Sequence, residues 1–276
     1  TFTGSVGAGA ALTTLTTDTN GTTRINGGTV VTSGAQTFND AVTLGADTVL
    51  SAVNLTMNGI VNSAGANRNL SILDPGVTTI NGIVGGALPL ASLTTDAPGS
   101  TVIGSAGITT TLHQLYNDPV NLTSATVLTS TGAQQIRFAS TLNGGFGMAI
   151  NTGGNTVFDG VVGGVTPLAS LATDTVGATQ VNSGAVTTTG AQTYSDAVTV
   201  SAATTFNANT GVLTFGKGLA GATNNLTLTA DEIDLASTVS GTGTLILQPS
   251  TTGLAINIGS SAGSGAALDL STADIG

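Results

Sequence analysis

Gln36-Thr-Phe-Asn-Asp40, Gln114-Leu-Tyr-Asn-Asp118 and Gln192-Thr-Tyr-Ser-Asp196 are one phrase written three times. Its starting positions, 36, 114 and 192, are evenly spaced and define a 78-residue period. The same interval governs its surroundings. Upstream, Leu15-Thr-Thr-Asp18 returns as Leu93-Thr-Thr-Asp96 and Leu171-Ala-Thr-Asp174. Gly4-Ser-Val-Gly7 returns as Gly82-Ile-Val-Gly85 and Gly160-Val-Val-Gly163. Downstream, Leu70, Met148 and Leu226 align without a net gap. The chain therefore divides into copies at 4–81, 82–159 and 160–237. The stretch 238–276 is a diverged continuation or capping rungs, and the whole reads as one continuous solenoid. A fixed long period is the mark of repeat architectures, in which each unit buries its apolar face only against its neighbours.

A shorter beat runs inside each copy. An apolar or aromatic residue, a polar or small pair and another apolar residue recur at Phe38, Met57 and Ile80, at Tyr116, Phe138 and Phe158, and at Tyr194 and Phe215. Two longer steps, Ile80 to Tyr116 and Phe158 to Tyr194, equal each other and leave room for two short rungs. On this reading the 78-residue copy holds roughly four rungs of about 20 residues, the size of one turn of a parallel β-helix. Alternating runs such as Thr48-Val-Leu-Ser51 and Leu226-Thr-Leu-Thr229 turn one side chain in and the next out. At that size the chain makes about 14 rungs, a rod of about 65 Å at the spacing of neighbouring strands. The rival, three tandem sandwich domains, leaves the short beat unexplained and wants a heavier aromatic core.

Composition agrees. Only 7% of residues are charged and 3% aromatic, there are 40 Gly and no Cys or Trp, and mean hydropathy is positive. Disorder needs the opposite balance, whereas Thr, Val, Ile and Leu suit strands and Gly and Asn suit corners. The four basic residues, Arg24, Arg68, Arg137 and Lys217, are dispersed, and net charge is −10, so nucleic acid is not an expected partner. Lack of Cys excludes disulfides and thiolate metal sites. No apolar run reaches the length of a transmembrane helix, no signal peptide opens the chain, and an outer-membrane barrel would want aromatic girdles. Neither terminus has a natural look, so the chain reads as part of a longer protein with any export signal outside it.

Three stretches carry a resemblance. Thr189-Gly-Ala-Gln-Thr-Tyr-Ser-Asp-Ala-Val-Thr199, Gly163-Gly-Val-Thr-Pro-Leu-Ala-Ser-Leu-Ala-Thr-Asp174 and Gly243-Thr-Leu-Ile-Leu-Gln-Pro-Ser250 with Ala266-Ala-Leu-Asp-Leu-Ser-Thr272 resemble the repeats of large filamentous-haemagglutinin-like bacterial surface proteins. The resemblance spans nearly the whole chain. It implies an all-β, right-handed parallel β-helix, export to the cell surface or medium, and a part in adhesion, aggregation or matrix. It brings no catalytic residue, cofactor or metal ligand.

Each group that could do chemistry has a structural reading beside it. His113, the lone histidine, replaces Ala35 and Ala191 of the sister copies and has no evident Ser–Asp partners for a triad. Asp18, Asp96 and Asp174, and Asp40, Asp118 and Asp196, recur in every copy. Calcium would need six to eight oxygen ligands; an Asx-type corner, the carboxylate accepting from backbone N–H, needs only one acid. Asp231-Glu-Ile-Asp234 is the one acidic cluster, and alternation places Asp231 and Ile233 on one side, Glu232 and Asp234 on the other. Glycoside cleavage needs two acids converging on one bond, which evenly repeated rungs do not offer. Thr13-Thr-Leu-Thr-Thr17 and Thr109-Thr-Thr111 could form hydroxyl ladders, but irregular rung lengths break a regular array. Gly144-Gly145 lacks the lysine of a phosphate loop. The expected function is a non-catalytic shaft of an exported adhesin or extracellular fibre. A self-assembling filament or matrix protein, in which neighbouring copies associate, and a carbohydrate-binding or carbohydrate-cleaving β-helix are the alternatives. A host or cell-surface glycan or protein would be met through regions outside this chain.

Overall fold

The alternating runs do form strands, and every pairing between strands is parallel. The computed structural model describes residues 1–259, 267–271 and 274. Strands of two to six residues follow one another through short corners and take up three positions in rotation, so the solenoid has three faces. The first face begins with Leu15–Thr16, Gln36–Phe38 and Leu55–Met57, the second with Thr22–Ile25, Ala41–Leu44 and Val61–Ser63, the third with Thr29–Val31, Thr48–Ser51 and Asn69–Leu73. The third face is an unbroken sheet of eleven strands ending at Val239–Gly241. Single bridges at Val84 and Val162 carry the second and first faces across short interruptions.

Thr29 opens the first strand of the third face and Val239 the last, and ten turns lie between them, so one turn takes about 21 residues. The rod thus has eleven turns through Gly241, about 53 Å at the strand spacing; the expected fourteen counted the whole chain. Beyond Leu245–Gln248 the stacking departs from the rotation: Ala255–Ile258 pairs with Ala267–Leu270 and not with Glu232–Leu235.

The 78-residue copy is not four turns. Gln36–Phe38 lies on the first face, Gln114–Tyr116 on the third and Gln192–Tyr194 on the second. Each copy therefore advances three turns plus two faces, eleven strand positions in all, and eleven is not a multiple of three. Like residues of successive copies point in three directions. The two long steps of the short beat have the same origin: Ile80 to Tyr116 is one turn, through Ile103, and two more faces.

Inward positions stack into columns. Phe38, Met57, Ile80, Ile103 and Leu122 form one on the first face. On the third face Tyr116, Phe138 and Phe158 stack with ring centroids 5.1 and 5.6 Å apart and planes within 13°. On the second, Tyr194 stacks on Phe215 at 5.1 Å, and Phe206 of the first face meets both edge-on. The markers of the short beat are these columns. A single turn could shelter none of them, while stacking leaves all these rings at most 1% exposed. Offset-stacked and edge-on pairs at such distances add about 0.5–1.5 kcal/mol each beyond burial.

Candidate functional site

The repeated polar residues converge in the interior corners. Gln36, Gln114 and Gln192 have no exposed surface. Each directs its amide nitrogen at two backbone carbonyls, one six residues earlier and one fifteen later: Val30 and Ser51, Ile108 and Thr129, Val186 and Asn207, all at 2.8–3.1 Å. The side chain adds a clip between two adjacent turns near a corner. In the second and third copies the Gln oxygen accepts from Tyr116 or Tyr194 Oη at 3.0 Å. In the first copy Phe38 stands in that place, and Gln36 Oε1 has no partner.

The two most conspicuous phrases of the repeat meet one turn apart. The second threonine of Leu15-Thr-Thr-Asp18, Thr17, donates to Asp40 at 2.6 Å, and Thr23 donates to both Asp40 oxygens. Thr95 and Thr101 serve Asp118, and Thr173 and Thr179 serve Asp196, at 2.8–3.0 Å. These carboxylates are at most 5% exposed. Threonine hydroxyls are their main partners, because the corner is filled from the turn below, and Asp118 and Asp196 also accept from their own backbone N–H. Burial raises the Asp118 and Asp196 carboxyls above their ordinary range; the threonine bonds pull them down, and the charges of Asp96 and Asp174 add to the rise. Burial also pushes both tyrosine phenols far above their usual range.

The other acids are corner pieces as well. Asp96 accepts from the Asp74 amide, and Asp74 from the amides of Asn54, Leu55 and Gly76 and the Thr78 hydroxyl. Asp174 is raised chiefly by burial, and its Oδ1 makes no bond; Asp18 is exposed. Asp231 caps the corner at Ser250 and Thr251, while Glu232 and Asp234 share the outward side of Glu232–Leu235. Burial first, then the charges of Asp234, Asp269 and Asp274, raises the Glu232 carboxyl.

Sequence reasoning missed one device. Asn39 donates to Thr17 O, Asn58 to Asn39 Oδ1 and Asn81 to Asn58 Oδ1, each at 2.8 Å, a carboxamide ladder up one corner of the first face. The glycines after the upper two make it possible: a Cβ on Gly59 would lie 1.9 Å from Asp40 O, and one on Gly82 1.9 Å from Gly59 O. The signal was the Asn-Gly spelling at matching points of the short beat, in Met57-Asn-Gly-Ile60 and Ile80-Asn-Gly-Ile83.

The outer surface is plainer. His113 lines a shallow cleft with Ala133, Gln134, Gln135, Gly154 and Asn155, none of them acidic. A second, apolar cleft is formed by Ile60, Ile83, Gly86 and Ala87 beside Asn62. Phe146 is the one large aromatic side chain exposed among the described residues. Among those residues no three of His, Asp and Glu are grouped so as to hold a metal ion, and no helix is long and apolar enough to cross a membrane. No family model, curated protein or solved structure matches the chain.

Proposed function

We propose that the chain is a shaft: a non-catalytic segment of an exported surface adhesin or extracellular fibre, resembling the filamentous-haemagglutinin-like proteins, whose work is to hold a fixed length. One observation carries this reading. Two polar devices repeated in every copy, the Gln clips and the Asp–Thr corners, are spent inside the stack on joining one turn to the next. The groups of an enzyme or lectin would face outward and break the repeat at one place. Among the described residues the single exposed aromatic ring, Phe146, also leaves little on which sugars could stack.

Electron microscopy of the native material, with the chain located by antibody, tests it. Thin unbranched rods carrying a separate tip support the shaft. Ordered filaments in which this segment forms the contact between molecules would replace it with the self-assembling reading. Release of reducing ends from polysaccharide by the purified chain would replace it with a carbohydrate-cleaving one.

A further inference from the structure

Five Asn-Gly pairs occur in the chain, at Asn20, Asn26, Asn58, Asn81 and Asn143. In such a pair the glycine amide nitrogen can attack the Asn side-chain carbonyl carbon, because no Cβ obstructs it. The Gly N–Cγ bond forms and the Cγ–Nδ2 bond breaks. Nδ2 leaves as ammonia, having taken up the proton that the glycine amide gives to solvent. Water then opens the cyclic imide at either carbonyl, leaving aspartate or isoaspartate. The attack requires the carboxamide to swing over its own backbone, so a carboxamide held by hydrogen bonds reacts only after local opening.

Four of the five are held. Asn26 Oδ1 accepts from Arg24 Nε, and the Gly27 amide donates to Phe2 O. Asn58 is bonded at both ends of its carboxamide, to Asn39 and Asn81. Asn81 donates to Asn58, and the Gly82 amide to Met57 O. Asn143 Oδ1 accepts from the amides of Val165 and Thr166, and the Gly144 amide donates to Thr166 O. Asn20 is different. It is exposed, neither its carboxamide nor the Gly21 amide has a partner among the described residues, and no atom lies within 4 Å of where a Gly21 Cβ would stand. The sister corners read Pro98-Gly99 and Val176-Gly177, so only the first copy carries a reactive pair there. All three glycines have positive φ, between 79° and 96°, which keeps glycine at the corner.

We propose that Asn20 is a site of spontaneous covalent modification, converting to aspartate and isoaspartate in the folded shaft, and that the hydrogen bonds holding the other four carboxamides, the ladder's at Asn58 and Asn81 among them, protect those Asn-Gly pairs from the same reaction. Conversion adds a negative charge, and in the isoaspartate product one backbone methylene, at an open corner where nothing is displaced. The stack survives it; the same change at Asn58 would cut the ladder.

The test is prolonged incubation of the folded chain in mildly alkaline buffer, then unfolding and cleavage after basic residues. Cuts at Arg24, Arg68, Arg137 and Lys217 put Asn20, Asn81 and Asn143 on separate peptides and Asn26 with Asn58 on another, which fragmentation resolves. Mass spectrometry reads the amide-to-acid gain, and an isoaspartyl methyltransferase marks the isomer. Asn20 is expected to convert about tenfold faster than any other pair in the folded chain, and all five at similar rates in denaturant. Asn39→Ser, which removes the acceptor of Asn58 Nδ2, is expected to speed Asn58 alone, with Asn20 as internal clock. Equal rates at Asn20 and the ladder sites in the folded protein overturn the proposal, as does an Asn20 that stays intact while another pair converts.

Discussion

Replacing Phe38 by tyrosine isolates one interior bond. Gln114 and Gln192 each have both ends of the carboxamide occupied, the oxygen by a tyrosine hydroxyl at 3.0 Å two residues on. Gln36 keeps the nitrogen bonds but its Oε1 is buried without a donor. A buried unsatisfied acceptor costs about 1–3 kcal/mol, and an ordinary hydrogen bond returns about 0.5–1.5 kcal/mol net. An added oxygen in a filled core can cost about 1–3 kcal/mol when it forces its neighbours apart. Here the sister copies show that the same Gln-x-aromatic geometry has a place for the hydroxyl. Phe38→Tyr is therefore expected to stabilise by about 1 kcal/mol, and Tyr116→Phe and Tyr194→Phe, which only remove an atom, to cost about 1–2 kcal/mol each. Urea unfolding reads this as a shifted midpoint at constant slope. Should the solenoid unfold in stages, as repeat stacks can, amide exchange in the turn carrying the substitution gives the local value. A neutral Tyr116→Phe together with a destabilising Phe38→Tyr would refute the reasoning, because the bond would then carry no net weight.

Mild acid should strengthen the shaft. Asp118, Asp174 and Asp196 are raised by burial, so their contribution is complete below the unfolded value of about 3.9 and is lost as pH rises through their folded values. A denaturation midpoint followed from neutral pH down toward that value should rise, and Asp196→Asn should flatten the profile; a falling midpoint would contradict it. In alkali the phenols of Tyr116 and Tyr194, held neutral by burial, should ionise only as the chain unfolds, so stability falls once pH passes about 10, where unfolded tyrosine ionises. Ultraviolet titration showing phenolate before loss of β-sheet ellipticity would count against this. Gly59→Ala brings a Cβ to 1.9 Å from Asp40 O and should cost about 3 kcal/mol or more, whereas alanine at Gly145, where no atom lies within 4 Å, should cost less than about 1 kcal/mol; equal losses would disprove the close approach.

The sequence made the architecture legible because alternation and period are local properties. Phe38, Met57 and Ile80 recur at the interval of a turn, and the structure places them in one column. The corners were less legible. Asp40 was expected to cap a turn through backbone N–H groups, yet it accepts from Thr17, one turn earlier, and from Thr23. That pairing depends on which corner lies beneath which, and turns of unequal length hide it. The orphaned Gln36 oxygen was equally invisible, since Phe38 and Tyr116 look interchangeable until the hydroxyl is seen to have a partner.

Read alone, the chain already determines that it is all strand, that its strands stack along an axis, and that one pattern returns with a 78-residue period; inward and outward residues alternate whatever the chain packs against. The three faces, the length of the turn and the rotation of each copy by two faces belong to the tertiary structure alone. Strand direction changes at corners, and where a corner closes depends on the turn beneath it. Eleven strand positions do not divide into three faces, so a strict repeat in sequence becomes a winding one in space.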